Sequence, residues 1–507
     1  ALLRSPRQSQ KQSYTTHNPA GRRQHHPHHH NHHHHHHHHH NHHRFALHPC
    51  LVQQAIRSPC SQQASTITPR SRSRPQSQRR SILHSPHPQS PRFSKMATQP
   101  PPEAKLLDKF PDGVSALRYM PTTANANENG SKRLLASTSW DGAVRVHDTS
   151  LSDDEGSSTS TSSTISPLLL THNMESGPLL SLAIPDATTM VAGGLDGSIK
   201  SFDTATSTVR SIGFHQSDNK NGGSSSGMTV NVNVNANANV NANVNVDNAC
   251  SCLSSMTASN VVVSASWNRQ LCVWDLRQQQ TGNSPSARAI LPGKAFAMDV
   301  DESRNRILVA TSGRHNCFYD LRMLPNNSNN NNNNDTDNFR LDSVLQRDSS
   351  LKFQTRCVRF FPDGHGFCLG SIEGRVGVEF LDELVDPQML SVAEKPKKYA
   401  FKCHRDSNSG LVYPVNAIEF HPRHRHTFAT GGCDGTVVLW DGRNKKKLTA
   451  LPAFPTSISA MCFSPDGTEL AIASSYTHEE GDRENHPRDE LYVRRILDSE
   501  ATPKPAS

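Results

Sequence analysis

Three cations in the second half of the chain have side chains and settings suited to holding an anion. Arg356 stands in Ser350-Leu351-Lys352-Phe353-Gln354-Thr355-Arg356-Cys357, Arg375 in Ser371-Ile372-Glu373-Gly374-Arg375-Val376, and Lys402 in Tyr399-Ala400-Phe401-Lys402-Cys403-His404-Arg405. Arg375 falls at a hairpin turn where other copies of the same local pattern place Asp-Gly and a small residue. A guanidinium there can grip a carboxylate or a phosphate through two parallel hydrogen bonds. On spacing alone a solvated surface cation remains the commoner alternative. Catalytic chemistry finds no support: there is no G-x-S-x-G elbow, no H-E-x-x-H and no Walker loop. His404-Arg405-Asp406 matches a kinase triplet but lacks an Asn at the kinase spacing and every other kinase part, so it reads as coincidence. The eleven cysteines contain no C-x-x-C, and Cys250 with Cys252 is the one close couple. No second Cys/His pair sits at ligand spacing, so neither a metal site nor a cofactor is expected.

The elements that must position these cations come from a repeat. LLASTSWDGAVRVHD (134–148), MVAGGLDGSIKSFD (190–203), VVVSASWNRQLCVWD (261–275), ILVATSGRHNCFYD (307–320), FCLGSIEGRVGVEFLD (367–382) and TFATGGCDGTVVLWD (427–441) share one grammar, and a divergent seventh copy runs from Ser457 to Asp498. Each copy has a run ending in small residues, a tight turn, and a strand closed by a ring and Asp. Asp141-Gly142, Asp196-Gly197 and Asp434-Gly435 supply the positive φ of a two-residue hairpin. Val144 and Val146 alternate with Arg145 and His147, the period of a strand. Six residues after the turn Asp comes His147, Phe202 or Trp440, and Asn268 and Trp274 keep that spacing. The regularity predicts a ring packed near the turn's polar side chain in every copy. One four-stranded unit cannot bury both of its faces, whereas about seven stacked radially can, and closing the ring protects the edges. The expected fold is all-β: a seven-bladed WD40 β-propeller over 105–500, with the WD dipeptide at Trp274-Asp275 and Trp440-Asp441.

Composition divides the chain. Residues 1–95 carry 14 lysines and arginines and no acid, which leaves the remainder with 39 basic and 45 acidic groups, a balance of −6. Residues 1–95 hold a polyhistidine block around His32 to His40 and then Ser, Arg, Pro and Gln, with no strand or helix period. They are expected to be disordered, either a flexible tail or upstream sequence not made in the cell, since Met96-Ala97-Thr98-Gln99 resembles a start. The block could hold metal ions, but a tail suffices to explain it. Low-complexity inserts lengthen the repeats near 152–165 (Ser/Thr), 218–248 (Asn/Val) and 326–339 (Asn). The middle one alternates like a strand, but Asn is poor in strands and nothing caps the run, so a disordered loop is predicted. No apolar run approaches the roughly 20 residues that span a bilayer, and no signal peptide is evident.

The strings QTRCVRFFP, SIEGRVGVEFLD, YAFKCHR, YPVNAIEFHP and PTSISAMCFSPDGTELAIASSY are similar to the checkpoint WD40 protein of the budding-uninhibited-by-benzimidazole class. The similarity covers about Lys105 to Pro505, inserts excepted, and is densest from Ser349 to Tyr476. It implies a non-enzymatic scaffold of the spindle assembly checkpoint. Such a scaffold binds GLEBS motifs of the checkpoint kinase and its relatives, and phosphorylated Met-Glu-Leu-Thr repeats of a kinetochore scaffold. By motif, Arg356 would meet the GLEBS glutamate, while Arg375 and Lys402 would hold the phosphate. Trp140 in Thr138-Ser139-Trp140-Asp141 and Trp267 in Ala265-Ser266-Trp267-Asn268 would be aromatic anchors for the phosphopeptide on the top surface, though blade packing explains such rings equally. The resemblance further implies a monomeric propeller, nuclear and at kinetochores in mitosis. Its other associations would be a ubiquitin-binding or anaphase-promoting-complex inhibitory assembly, with no membrane and no direct nucleic-acid partner.

Two rivals share features. The messenger-RNA-export WD40 protein, which binds a nucleoporin GLEBS motif, shares SIEGRV and FKCHR, and Phe367-Cys368-Leu369-Gly370 leans toward it. Gln354-Thr355-Arg356, Tyr413-Pro414-Val415-Asn416 and the ending SSYTHEEGDRENHP lean toward the checkpoint protein, and the acidic balance of the folded part fits poorly with RNA binding. Trp274-Asp275-Leu276-Arg277 and Trp440-Asp441-Gly442-Arg443 resemble the WDxR box of ubiquitin-ligase substrate receptors, a box common to many propellers.

Overall fold

Alternating apolar runs joined by Asp-Gly turns make antiparallel hairpins, and the chain folds them four strands at a time. The computed structural model describes residues 103–121, 132–150, 167–216, 229–235, 240–277, 284–323, 340–381, 398–479, 481, 483 and 485–503. They form seven four-stranded antiparallel sheets and one two-stranded hairpin. Blade 1 opens with Val114–Tyr119, blade 2 with Leu179–Ala183, blade 3 with Cys250–Met256 and blade 4 with Ala295–Asp301. Blades 5, 6 and 7 open with Thr355–Phe360, Val415–Phe420 and Ile458–Phe463. Each opening strand contacts that of the next blade, and the seventh contacts the first. The ring is therefore closed around a central channel, a WD40 β-propeller. The expectations for residues 1–95 and for the inserts near 152–165 and 326–339 lie outside the described residues.

Closure uses a segment the repeat pattern had not absorbed. The strand Ala104–Phe110 pairs with Asp489–Arg495 and completes blade 7 as its outer strand. A side-chain tie fixes it to blade 1, where His147 Nε2 meets Asp108 Oδ2 at 2.8 Å. The second and third strands of each blade lie between neighbouring sheets and are buried on both faces, as in Ala143–Asp148 and Gly366–Ser371. Outer strands face water on one side; Leu345–Asp348 and Tyr399–Lys402 alternate accordingly. Gly142 in the first turn has φ +82°, and a Cβ there would come within 2.9 Å of the Gly177 carbonyl oxygen. Only glycine meets both demands.

Inside the channel, inner strands of four blades meet through charge. Arg359 of blade 5 donates to Glu419 of blade 6 at 2.5 Å and lies 3.7 Å from Asp299 of blade 4. Arg118 of blade 1 reaches the same Glu419 oxygen at 3.4 Å. Burial pushes the Asp299 carboxyl above its ordinary range despite Arg359 nearby. The cluster ties strands that are distant in sequence.

Of the insert at 218–248, where a disordered loop is expected, residues 218–228 and 236–239 lie outside the described residues, and the described part departs from that expectation. Thr229–Asn235 and Val240–Asn245 pair as an antiparallel hairpin, so the alternation does build strands. Its end is anchored. Val244 and Val246 are buried with Leu195, Ala249 and Trp267, and Lys294 Nζ binds Asp247 Oδ1 at 2.8 Å. Val244 on the second strand and Val246 in the turn that follows it thus pin the base of the hairpin to the propeller. Deletion of 231–241 is expected to shift stability by no more than about 0.6 kcal/mol, since halving a loop changes closure entropy by that amount. Val246→Ala should cost about 1.5 kcal/mol, from about 0.8 kcal/mol per buried methylene-sized group. Urea unfolding of both variants checks this; a larger loss from the deletion would mean that the hairpin tip also packs on the propeller.

Candidate functional site

The second residue of every inner strand faces the channel mouth for a backbone reason. In all seven blades the register slips between the first and third residues of that strand. Such a bulge leaves one residue unpaired and re-aims its side chain. The residues so placed are Ser115, Leu180, Ser251, Phe296, Arg356, Asn416 and Ser459, and all seven line one cavity of about 210 Å³. Trp140, Trp267 and Tyr476 add aromatic wall. Arg356 is the single charged residue among those lining it.

Arg356 is held ready. Its Nε donates to Asn416 Oδ1 at 3.2 Å, and the Asn416 amide in turn donates to the Ile458 carbonyl at 3.0 Å. Among the described residues no carboxylate pairs with it, so the outward-facing nitrogens of the guanidinium remain for a ligand. The carboxylate of an incoming glutamate fits: charge-assisted bonds to a part-buried guanidinium flanked by rings are strong and directional. Trp140 is half-buried, and Trp267 is 6 % exposed, packed against Leu180 and Phe296. Trp267 thus serves wall and core together. Both tryptophans lie with Arg356; neither Arg375 nor Lys402 lines this cavity.

Arg375 and Lys402 form a second locus. The strand Tyr399–Lys402 is the outer strand of blade 5, and Lys402 is the direct register partner of Arg375 on Arg375–Phe380. Directly opposed residues project from the same face with Cβ atoms about 5 Å apart, and like charges so placed oppose strand pairing. Lys402 is exposed and Arg375 half-buried; among the described residues Arg375 has one ion pair, a long one in which Glu373 lies 3.5 Å from its Nε, beyond good hydrogen-bond length. Gly374 makes the approach possible: its φ is +63°, and a Cβ would meet the Cys403 carbonyl at 2.7 Å. An anion with two or three oxygens could engage both cations and relieve their repulsion.

His404, dismissed above as coincidence, has a structural post that spacing alone could not identify. Trp440 Nε1 donates to Thr430 Oγ1 at 2.9 Å, Thr430 meets His404 Nε2 at 2.9 Å, and His404 Nδ1 meets Asp434 Oδ1 at 2.9 Å. Tryptophan can only donate and a carboxylate only accept, so protons run one way along the chain. The link expected in every copy between ring and turn Asp thus holds in blade 6, indirectly, but not in blade 1, where His147 meets Asp108 and the turn Asp141 pairs with Arg145. Blade 3 repeats the blade 6 chain as Trp274, Ser264 and His215, with Gln270 facing the histidine. There, burial without a carboxylate pushes His215 down to about 4. Burial pushes Asp434 up, but hydrogen bonds from His404 and Thr436 outweigh it, and the carboxyl sits below its ordinary value. A depressed folded pKa stabilises above the unfolded value near 3.8 and is lost as pH falls through the folded one. Asp434→Asn keeps an acceptor but removes the charge. It is expected to cost about 1 kcal/mol at pH 7, with the deficit shrinking in acid. Chemical denaturation at neutral pH and in acid tests both signs; a deficit that grows in acid would contradict the assignment.

Comparison with known proteins places this geometry. Residues 396–441 match the family model described as WD domain, G-beta repeat. The chain is 35% identical over 414 residues to mitotic checkpoint protein BUB3.1 of Arabidopsis thaliana, covering 81% of this chain and 98% of that protein. It is 33% identical over 396 residues to mitotic checkpoint protein bub3 of Dictyostelium discoideum, covering 78% and 94%. At 28% over 402 residues it is also similar to the poly(A)+ RNA export protein of Schizosaccharomyces pombe, covering 78% and 90%.

Proposed function

The chain belongs to the Bub3 family of mitotic-checkpoint WD40 proteins, and from that premise we propose that it joins two peptides at separate loci. A GLEBS-type segment of a checkpoint kinase occupies the channel mouth, its glutamate on Arg356. A phosphorylated Met-Glu-Leu-Thr repeat of a kinetochore scaffold sets its phosphate on Arg375 and Lys402. The observation that carries the reading is the lone guanidinium of Arg356 in an otherwise uncharged, aromatic-walled mouth. Such a mouth selects a segment that pairs one carboxylate with apolar neighbours. The opposed cations of blade 5 suit a phosphate, which carries about −1.5 to −2 charges at pH 7. Trp140 and Trp267 then belong to the GLEBS locus rather than to the phosphopeptide.

The role is that of a non-enzymatic scaffold, monomeric, acting in the nucleus and at kinetochores in mitosis. The export reading keeps the same mouth and replaces the kinase segment by a nucleoporin one; similarity to the fission-yeast export protein favours keeping it in the test. The ligase reading gains little, because Arg277 of the Trp274–Arg277 box binds its own Asp275 at 2.8 Å. Affinity purification from mitotic cells separates the three. Checkpoint kinase with the kinetochore scaffold is the expected result; a nucleoporin without the kinase would assign export, and a cullin adaptor would assign the ligase.

A further inference from the structure

We propose a third docking site, at the end of blade 6 away from the channel mouth, for an acidic peptide segment carrying one bulky aliphatic side chain. Inner strands begin at the mouth, so the turns 421–426 and 442–445 both fall at the opposite end. Gly442 N donates to the His426 carbonyl at 2.8 Å, which locks the two turns together. Residues 421–426 read HPRHRH and residues 442–447 read GRNKKK. Arg423, Arg425, Arg443, Lys445, Lys446 and Lys447 are all exposed, and neither segment contains an acid. Arg423 is 3.5 Å from Asp498; among the described residues the other five have no carboxylate at salt-bridge distance. Six cations thus collect on one blade end, although residues 96–507 together are net acidic, with 39 basic and 45 acidic groups. Charge complementarity of this kind steers and orients an acidic partner.

Beside the cations lies a place for an apolar anchor. A cavity of about 580 Å³ is lined by Phe361, Phe380, Tyr399, Phe420 and Phe428, and its other walls include three cations, Arg425, Arg443 and Lys445, against one acid, Asp363. The ring arrangement decides between an aliphatic side chain and a nucleobase. Phe361 stands edge-on to Phe380 at 5.6 Å and to Phe420 at 5.7 Å. Tyr399 has Lys445 Nζ over its ring at 4.5 Å and its hydroxyl on the Gly442 carbonyl at 2.6 Å. Rings engaged with one another and with a lysine offer edges rather than the open flat faces on which bases stack. An aliphatic chain fills such a space, while carboxylates on either side of it meet the cations.

The test is fluorescence anisotropy of the full chain with labelled Glu-Asp-Glu-Leu-Glu-Asp-Glu at near-physiological ionic strength. The leucine peptide is expected to bind at least about fivefold more tightly than its alanine counterpart, and Arg443→Glu with Lys445→Glu to weaken it at least about tenfold. Both substitutions are at exposed positions, and circular dichroism checks the fold. Arg356→Glu and Arg375→Ala should leave this binding unchanged, so failure here is distinct from failure at the other two loci. Equal affinity for leucine and alanine peptides would reduce the patch to unselective electrostatics and overturn the proposal. Tighter binding of an oligouridylate would overturn it in favour of a nucleic-acid surface. A concentration-dependent dimer abolished by Arg443→Glu would assign the patch to a second copy of this chain instead.

Discussion

Arg356→Glu is expected to abolish binding of a GLEBS-type peptide. The mouth of the channel holds one charge, and the substitution reverses it while leaving the aromatic wall in place. A glutamate arriving from the ligand would then face a second carboxylate in a half-buried site. Breaking a hydrogen-bonded charge pair at an interface costs about 2–5 kcal/mol, or about 30-fold to several thousand-fold in affinity. Asn416, which accepts from Arg356 Nε, keeps its bond to the Ile458 carbonyl, so the blade should stay folded. Calorimetric titration of the peptide into wild type and variant reads the effect. Unchanged affinity would remove Arg356 from the site, and Arg375→Ala serves as the control that should change nothing.

The double change Arg375→Ala with Lys402→Ala is expected to erase the preference for a phosphorylated Met-Glu-Leu-Thr peptide over its unmodified form. The two side chains are register partners on adjacent strands, so one phosphate can bridge them. Each charge-assisted hydrogen bond contributes about 1.5–3 kcal/mol, and the wild-type preference should be at least about tenfold, equivalent to 1.4 kcal/mol. Removing both cations also removes their mutual repulsion, so the variant should fold at least as stably as wild type. GLEBS-peptide binding should be retained. A double variant that still distinguishes the phosphate would place the clamp elsewhere and return these cations to solvated surface charge.

The seven repeats were legible because the hairpin turns and the closing rings recur at fixed spacing, and a radial stack is what such units require. Three things were not legible, each for a physical reason. The strand Ala104–Phe110 stands apart from the rest of blade 7 by about 350 residues and lacks a paired run before it, so only ring closure reveals its place. The bulge that turns Arg356 and Asn416 toward the channel is a slip of register, which leaves no mark in residue types. The tie of His404 to Thr430 and Asp434 joins residues up to 30 positions apart across two blades. The motifs pair Arg375 with Lys402, but the 26 residues between them carry no sign that Tyr399–Lys402 closes blade 5 beside Arg375. Alternation in the Asn/Val insert is a true strand signal that its asparagine content masks, and the hairpin's base is held by buried Val244 and Val246.

The central claim is that one propeller holds two peptides at once, at loci that share no side chain. Titration calorimetry tests it most directly: the phosphorylated Met-Glu-Leu-Thr peptide is titrated into protein already saturated with the GLEBS-type peptide. The account predicts one phosphopeptide bound per chain, with affinity equal to or greater than that of the unsaturated protein. Displacement of one peptide by the other, or loss of phosphopeptide binding on saturation, would contradict it, because Arg356 and the Arg375–Lys402 pair would then belong to a single site.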